Sequence, residues 1–348
     1  MRIAVDAMGG DFAPREVVRG AIDYAATRGD QVILVGAGEQ IEREIEEYGK
    51  GHPPRVSVVD APEVIGMGDH PAAALRTKKR ASVVVATELV RDDGADAVVS
   101  AGSTGATLAA AIFRLGRIDG IDRPALGAHL VTPEGPIMLL DVGAIVDCDE
   151  DNLVQFGVMG SIYAEHVLRG LLNIGEEVDK GDRLAQEANH RLRHSGLNFV
   201  GNVEGNELIA HRADVVVCDG FVGNVILKFF EGLTTYIFRS VRQDLNQGLV
   251  APLALLALRP GFERIRRRFD YERFGGTPLL GVRGVSIVTH GRAKARMLQF
   301  AMEAASDAAA ARIPELIAEW TRTHPATSGL RGELRARIAH RLGRGERD

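Results

Sequence analysis

The hydrophobic pattern of the chain alternates between two kinds of segment. Short apolar runs bounded by glycine or polar residues predict buried strands, and longer segments with apolar residues at every third or fourth position predict amphipathic helices. The predicted strands are residues 2–7, 31–35, 55–60, 95–99, 124–131, 136–141, 170–174, 198–201, 213–218 and 286–289. The predicted helices are residues 14–28, 39–48, 71–93, 108–113, 152–168, 182–195, 225–245 and 291–320. This alternation predicts an α/β fold with a doubly wound, mostly parallel sheet and helices on both faces.

Two regions depart from the alternation. The strands at 124–131 and 136–141 are joined by a Thr-Pro-Glu-Gly turn, which predicts a hairpin-like insertion. After the helix at 225–245 the chain stays helical, and residues 271–285 are predicted to be a glycine-rich loop.

A protruding helical hairpin is predicted at about 229–270, with a nearly all-aliphatic tip at 249–258. Residues 239–273 contain eight arginines and four acidic residues, so the flank of the hairpin is basic within an acidic protein. An apolar tip beside a basic flank is typical of an interaction surface. A dimer or core helix with a solvated basic face is the alternative.

Glycine stands beside Asp, Asn or Lys after at least five of the predicted strands. These loops are residues 8–11, 100–107, 141–147, 173–181 and 219–224. Ligands bind outside the carboxyl ends of the strands in parallel sheets. The loops together therefore predict a polar, glycine-rich crevice at one edge of the sheet.

The loop at 100–107, Ser-Ala-Gly-Ser-Thr-Gly-Ala-Thr, leads from a strand into a helix. Its glycines allow close approach of the backbone, and the first N–H groups of a helix lack intrahelical acceptors. The helix dipole adds a preference for negative charge. Gly102, Ser103, Thr104 and Gly105 are therefore predicted to bind phosphate or another anion. An ordinary tight turn is the alternative.

Composition and charge narrow the function. A net charge of −5 over 348 residues gives no general attraction to nucleic acid. The first residues predict a strand rather than a signal peptide, and no apolar run approaches the roughly 18 uninterrupted residues of a membrane span. Cys148 and Cys218 lack metal-ligand spacing and are predicted to be reduced packing residues. No metal site and no organic cofactor is predicted.

Taken together, several of these loops resemble the PlsX family, the acyl-carrier-protein:phosphate acyltransferases of bacterial phospholipid synthesis. The matching segments are Ile-Ala-Val-Asp-Ala-Met-Gly-Gly-Asp at 3–11, the loop at 100–106, Asp-Val-Gly-Ala at 141–144, Leu-Leu-Asn-Ile-Gly at 171–175, Asp-Gly-Phe-Val-Gly-Asn at 219–224 and Phe-Gly-Gly at 274–276. The match runs in order over about residues 1–320. It implies a fold similar to isocitrate and isopropylmalate dehydrogenases and phosphate acetyltransferases, as one domain over 1–320 with a basic tail at 321–348.

The resemblance also implies an activity and partners. It implies a homodimeric cytoplasmic enzyme, peripherally associated with the inner face of the membrane, that moves a long-chain fatty acyl group from acyl carrier protein to inorganic phosphate. The acyl phosphate would pass to an acyl-phosphate:glycerol-3-phosphate acyltransferase. Leu255 and Leu256 are expected to meet the membrane. The acidic carrier protein is expected to meet either residues 76–80 or the basic cluster Arg264, Arg266, Arg267 and Arg268.

Lys180 and Asn224 match family positions and are the expected catalytic residues. Phosphate would attack the thioester directly, Lys180 would neutralise phosphate or developing oxyanion charge, and Asn224 would donate to the oxyanion. Asp141, Asp219 and Gly223 are expected to line the substrate site, where the two carboxylates orient Lys180 or cap helices.

Two positions depart from the family pattern. Ser103 stands where asparagine is expected and keeps a donor, whereas Ile145 replaces an expected asparagine and removes an amide. Three rival interpretations stay open. They are a short-chain acyl-CoA phosphate acyltransferase, a non-catalytic membrane-associated scaffold, and a nicotinamide-dependent decarboxylating dehydrogenase whose metal would need Asp6, Asp11, Asp141 and Asp219 together.

Overall fold

The computed structural model describes residues 1–48, 53–165, 182–245, 260–261, 263–265 and 271–324. Within these ranges the strands are β1 (Arg2–Asp6), β2 (Gln31–Gly36), β3 (Val56–Asp60), β4 (Ala97–Ser100), β5 (Ala125–Val131), β6 (Pro136–Leu140), β7 (Val215–Val217), β8 (Thr277–Leu280) and β9 (Val285–Val288). The helices are α1 (Arg15–Arg28), α2 (Gly38–Glu47), α3 (Pro71–Thr77), α4 (Ser82–Arg91), α5 (Thr104–Ala110), α6 (Glu150–Tyr163), α7 (Arg183–Leu192), α8 (Gly220–Leu245), α9 (Ala295–Ala310) and α10 (Ile313–Thr323).

The strands form one sheet in the order β3-β2-β1-β4-β9-β8-β5-β6-β7. The first five strands of this order are mutually parallel. β8 is antiparallel to both of its neighbours, β6 is antiparallel to β5, and β7 is parallel to β6. The predicted mostly parallel α/β sheet is confirmed, and so is the predicted β5–β6 hairpin.

Helices cover both faces of the sheet, as predicted. In β1, Ile3 and Val5 pack into the core beneath α1 and α9, whereas Ala4 faces the core beneath α4. Because side chains alternate between the two faces of a strand, a strand buried on both faces is apolar at consecutive positions. This explains the unbroken apolar run at the start of the chain.

Two predicted helices are each divided in the structure. The segment 71–93 forms α3 and α4, because Ala81 is extended (φ −68°, ψ 139°) and pairs with Glu63 as an isolated β-bridge. The segment 291–320 forms α9 and α10, because Arg312 has left-handed dihedral angles (φ 55°, ψ 43°) that end one helix and begin the next. Apolar periodicity continues across both breaks, so the pattern alone does not reveal them.

Two strand predictions are wrong. The predicted loop at 271–285 contains β8, whose residues pair with β9 and β5. The predicted strand at 198–201 does not form, since the N–H of Phe199 bonds to the carbonyl of Leu197 and its ring packs on the core from an irregular segment. The predicted strand at 170–174 lies outside the described residues.

α8 begins five residues earlier than predicted, at Gly220. At 26 residues it is about 39 Å long, and its first half packs against β5 and β6. The segment Gly220–Val241 has the length and mean hydropathy (1.2) of a membrane-spanning helix, although only 6% of its apolar window is buried.

Candidate active site

The glycine-rich loops form two groups at opposite edges of the sheet. β6 and β7 run antiparallel to β1 and β4, so their exits lie at the far edge. β4 and β6 are four positions apart in the sheet order, which at about 4.8 Å per strand is about 19 Å. The prediction of a crevice at a single edge is therefore wrong, because the β5–β6 hairpin reverses the chain direction.

The first loop group follows β1, β4 and β9, and its loops are in direct contact. The hydroxyl of Ser100 donates to Asp6 Oδ2 at 2.7 Å, and the Gly102 N–H donates to Ser100 Oγ at 3.1 Å. A side chain on Gly9 would place its Cβ 2.6 Å from that carboxylate oxygen and 2.7 Å from the Gly102 nitrogen. Burial raises the pKa of Asp6, and hydroxyl hydrogen bonds oppose the shift. Glycine at position 9 is thus required for the close approach of the β1 and β4 loops.

Two backbone donors are free at this group. Ser103 caps α5 by accepting the Ala106 N–H at 3.4 Å, and its carbonyl accepts the N–H of Thr107 at 2.9 Å. The N–H groups of Thr104 and Gly105 have no acceptor among the described residues. Thr104 is exposed and Gly105 is partly exposed. The loop therefore keeps the anion-binding features predicted from its sequence.

Asp141 organises the second loop group, after β6 and β7. It is fully buried, and its carboxylate accepts the backbone N–H groups of Leu126, Gly143, Ala144 and Ile145 at 2.6 to 3.2 Å. Burial raises the pKa of Asp141, and these donors oppose the shift. Its oxygens are occupied by the protein itself, so Asp141 shapes the loop rather than contacting substrate.

The start of α8 docks directly on this loop. Gly220 donates its N–H to the Ile145 carbonyl at 2.8 Å, and a Cβ there would lie 2.7 Å from Asp141 Oδ2. A Cβ on Gly223 would overlap the Asp141 carbonyl. The carboxylate of Asp219 caps the helix by accepting the next two N–H groups at 2.9 Å. The spacing Asp-Gly-Phe-Val-Gly therefore serves close packing and capping, and this helix start has no donor left for an anion.

Asn224 lies in the first turns of α8, one helical turn after Gly220, rather than in a loop. Its side chain is exposed, stands near Gly143 and has no hydrogen-bond partner among the described residues. It is thus a free amide donor, as its predicted role requires. Ile145 acts through its backbone N–H and carbonyl, so the departure from asparagine leaves the loop intact and removes only a side-chain amide.

Asn224 and the Gly102–Gly105 loop are not brought together within one chain. A single copy of the chain therefore cannot place Asn224 where it would assist an attack by phosphate bound at that loop. Asp6 and Asp11 are likewise at the opposite edge from Asp141 and Asp219, which separates the carboxylates that a dehydrogenase metal would need. Within the described ranges, no group of three or more His, Cys, Asp or Glu is placed to hold a metal ion.

Several predicted residues lie outside the described ranges: Lys180, Leu255, Leu256, Arg266, Arg267 and Arg268. Arg264 is described and exposed. In the alternative basic cluster, Lys78 pairs with Asp69 at 2.6 Å and Arg80 with Asp60 at 2.8 Å. Half of that cluster is therefore neutralised within the chain.

A cavity of about 570 Å³ adjoins the second loop group. It lies between α7, the segment 199–204 and the end of β7, and it reaches Asp219 and Val222 at the start of α8. Its volume falls within the range of about 300–1,000 Å³ typical of small-molecule sites. This cavity could not be predicted from the sequence, because its walls come from distant segments.

The two cysteines lie near Asp141 and are not nucleophiles. Burial raises the pKa of Cys148 to about 12, and it raises that of Cys218 further. Each thiol donates to a backbone carbonyl instead, Cys148 to Ile145 and Cys218 to Asp141. Both are therefore protonated at neutral pH, in agreement with the predicted packing role.

Comparisons with known proteins extend over most of the chain. A family model described as fatty acid synthesis protein matches residues 1–316. A phosphate acyltransferase from Pelotomaculum thermopropionicum is 47% identical over 321 residues, which is 90% of this chain and 93% of the relative. One from Heliobacterium modesticaldum is 50% identical over 311 residues, covering 88% and 93%. A phosphotransacetylase structure from Streptococcus pyogenes has a TM-score of 0.61 at 17% identity, covering 89% of this chain and 94% of that one. That structure shares the fold.

Proposed function

Because the chain belongs to the PlsX family of phosphate acyltransferases, within the fatty acid synthesis protein family, we propose that its substrates are a long-chain fatty acyl thioester of acyl carrier protein and inorganic phosphate. The chain is a transferase of fatty acid and phospholipid synthesis that moves an acyl group to phosphate. The observation that supports the choice of site is the pair of free N–H groups at Thr104 and Gly105, at the end of a glycine-lined loop.

In the proposed reaction, a phosphate oxygen held at the Gly102–Gly105 loop attacks the thioester carbonyl carbon. A tetrahedral oxyanion forms, the carbon–sulfur bond breaks, and the thiol of the donor leaves as acyl phosphate is released. Phosphate is already anionic at neutral pH, so no enzyme nucleophile is needed, consistent with two protonated thiols. Asn224 donates to the oxyanion, and Lys180 balances the negative charge.

In this proposal, a second copy of the chain brings its Asn224 close to the Gly102–Gly105 loop of the first. α8 carries an apolar stripe that no other described element covers, with side chains 39% to 69% exposed: Phe221, Val225, Phe229, Leu233, Tyr236 and Ile237. We assign this stripe to a two-fold homodimer interface, because a closed dimer buries the same patch on both copies. A two-fold axis near Phe229 pairs the helices antiparallel. It brings Asn224 of the partner subunit level with Thr234, towards the edge of the sheet where the first loop group lies.

The preference for a long acyl chain is supported by the cavity of about 570 Å³ beside the second loop group. Leu153, Leu184, Leu192 and Phe199 give it an apolar wall, polar residues line the rest, and Val222 joins it to the start of α8. A chain in this cavity would place its thioester end near Asn224. The volume exceeds what a short acyl group fills, which favours the long-chain donor.

We propose that the protein acts at the cytoplasmic face of the membrane, where acyl phosphate passes to the glycerol-3-phosphate acyltransferase that consumes it. The aliphatic tip at 249–258 would lie in the interface, with the basic flank near the carrier protein.

Changing Leu255 and Leu256 together to Glu is expected to release the protein from vesicles. Two carboxylates oppose insertion and are repelled by anionic lipid. Flotation with vesicles of phosphatidylglycerol and phosphatidylethanolamine measures the bound fraction. Leu255→Met with Leu256→Met serves as the apolar control. Equal flotation of the Glu and Met variants would show that the tip does not contact lipid.

The reaction itself is tested by incubating the purified protein with palmitoyl-carrier protein and phosphate, then trapping acyl phosphate with hydroxylamine. Acyl hydroxamate is expected only when both substrates are present. Product from acetyl-CoA but not from the carrier-protein thioester would instead support the short-chain transferase. Absence of product from either would support the scaffold alternative.

A further inference from the structure

An open groove of about 430 Å³ runs along α8 beside the first loop group. One wall is α8 from Lys228 to Arg239, where Tyr236 borders the proposed dimer interface, and the other includes His290 and Arg292 after β9. These two residues flank Gly291, whose carbonyl accepts the N–H of Asp11 at 2.7 Å. The groove thus adjoins the loop after β1, which packs against the Gly102–Gly105 loop that is proposed to hold phosphate. In the sequence, Arg239 belongs to the basic flank of the hairpin, and no pattern indicates a role for His290 or Arg292.

The groove carries excess positive charge. Glu272 pairs with Arg296 at 2.9 Å and Glu231 with Lys228 at 3.3 Å, so both acids of the groove are neutralised. Arg239 and Arg292 have no acidic partner among the described residues. Two unpaired guanidinium groups facing one groove suit a phosphate group, which each can bind through parallel N–H donors.

Gly232 lies at the groove in the interior of α8. A Cβ at this position would meet nothing within 4 Å, so packing within the chain does not require glycine. Glycine inside a helix is less stable than alanine, because it loses more backbone freedom on folding. Its absence of a side chain widens the groove midway between Lys228 and Arg239.

The groove adjoins a narrow cavity of about 70 Å³, with which it shares Glu231 and Met297 as lining residues. This cavity is bounded by His129, whose ring stacks on Phe274. Both ring nitrogens are buried and have no hydrogen-bond partner among the described residues. Burial lowers the pKa of His129 to about 4, so the ring is neutral and offers one donor and one acceptor. Buried polar atoms are nearly always hydrogen-bonded, so a polar group from outside the chain belongs here.

We propose that this groove binds the phosphate-bearing arm of the thioester donor, with its phosphate between Arg239 and Arg292 and an amide of its chain against His129. The inference rests on the proposed function and adds the site that holds the donor. The phosphopantetheine arm is common to carrier-protein and CoA thioesters, so the groove would bind the part of the donor that the two share. It places the arm beside the bound phosphate that attacks its thioester.

The test compares Arg239→Ala and Arg292→Ala with wild type on three decanoyl donors: decanoyl-carrier protein, decanoyl-CoA and S-decanoyl-N-acetylcysteamine, which has no phosphate. Loss of a charge-assisted contact of about 1.5–3 kcal/mol raises KM for the first two donors about 10- to 100-fold. The KM for inorganic phosphate and the kcat/KM of the truncated donor are expected to change less than twofold. Arg322→Ala, an exposed arginine without a partner among the described residues, is the control.

Several results would overturn the site. They are an equal loss with the truncated donor, no loss with any donor, or a loss with decanoyl-CoA alone, which would assign the contact to the nucleotide phosphates. Binding of pantetheine 4′-phosphate and of pantetheine, measured by calorimetry, is independent of turnover. Tighter binding of the phosphorylated compound that Arg292→Ala removes supports the site even if wild type proves inactive in the hydroxamate assay, whereas equal binding of both compounds contradicts it.

Discussion

Thr104→Asp is expected to raise the KM for inorganic phosphate about 10- to 100-fold while leaving the fold intact. The new carboxylate would stand at the first turn of α5, beside the two free N–H groups that are proposed to hold phosphate. Two like charges about 4 Å apart repel by about 1–4 kcal/mol at the dielectric constants of a protein surface. Steady-state kinetics with phosphate as the varied substrate measure the effect.

The same substitution is not expected to lower the melting temperature. Thr104 is exposed, and an acidic residue in the first turn of a helix is favourable by about 0.3–1 kcal/mol. Thr104→Asn is the matched control, because it has the shape of aspartate without the charge and should keep a KM near that of wild type. If the Asp and Asn variants share one KM for phosphate, the loop does not hold the anion.

The sequence predicted the local parts of this site better than their arrangement. The glycines of the first loop group and the buried β1 were predicted because each follows from a short stretch of chain. Gly9 illustrates this, since its need for glycine arises from contact with Gly102 just beyond the neighbouring strand. The direction of a strand does not follow from a short stretch of chain, because it depends on which strands pair. The sequence pattern does not predict β8. It therefore does not predict the reversals of strand direction that place Asp141 at the opposite edge of the sheet.

The role of the groove residues could not be predicted from the sequence for a related reason. Arg239 and Arg292 are 53 positions apart, and each alone is an ordinary surface arginine. Only the packing of α8 along the sheet places them around one space. His129 gave no signal either, since its unpartnered nitrogens are a property of its surroundings. In contrast, Asn224 was identified through its motif, although the motif did not show that it stands apart from the phosphate loop.

At a phosphate concentration near the wild-type KM, a mixed dimer of Thr104→Asp and Asn224→Ala chains is expected to recover about half of the wild-type activity. Asn224→Ala alone should lose about 10²–10³ in kcat, as for removal of one oxyanion donor, and Asn206→Ala, another exposed asparagine, should lose nothing. If the partner subunit's Asn224 completes each site, the mixed dimer contains one site with both residues intact and one with neither. Two differently tagged, coexpressed chains purified through both tags give that dimer.

The reciprocal dimer pairs a wild-type chain with one that carries both substitutions. Sharing across the interface leaves each of its sites with one defect, either a raised KM for phosphate or a lost oxyanion donor, so at the same phosphate concentration this dimer should be nearly inactive. If Thr104 and Asn224 of a single chain acted together, the outcomes would exchange: the reciprocal dimer would keep half of the activity and the first mixed dimer almost none. Because the two dimers contain the same four residues at the two positions, differing stability does not explain opposite activities. Their comparison therefore decides whether the exposed stripe of α8 exists to join two halves of one active site.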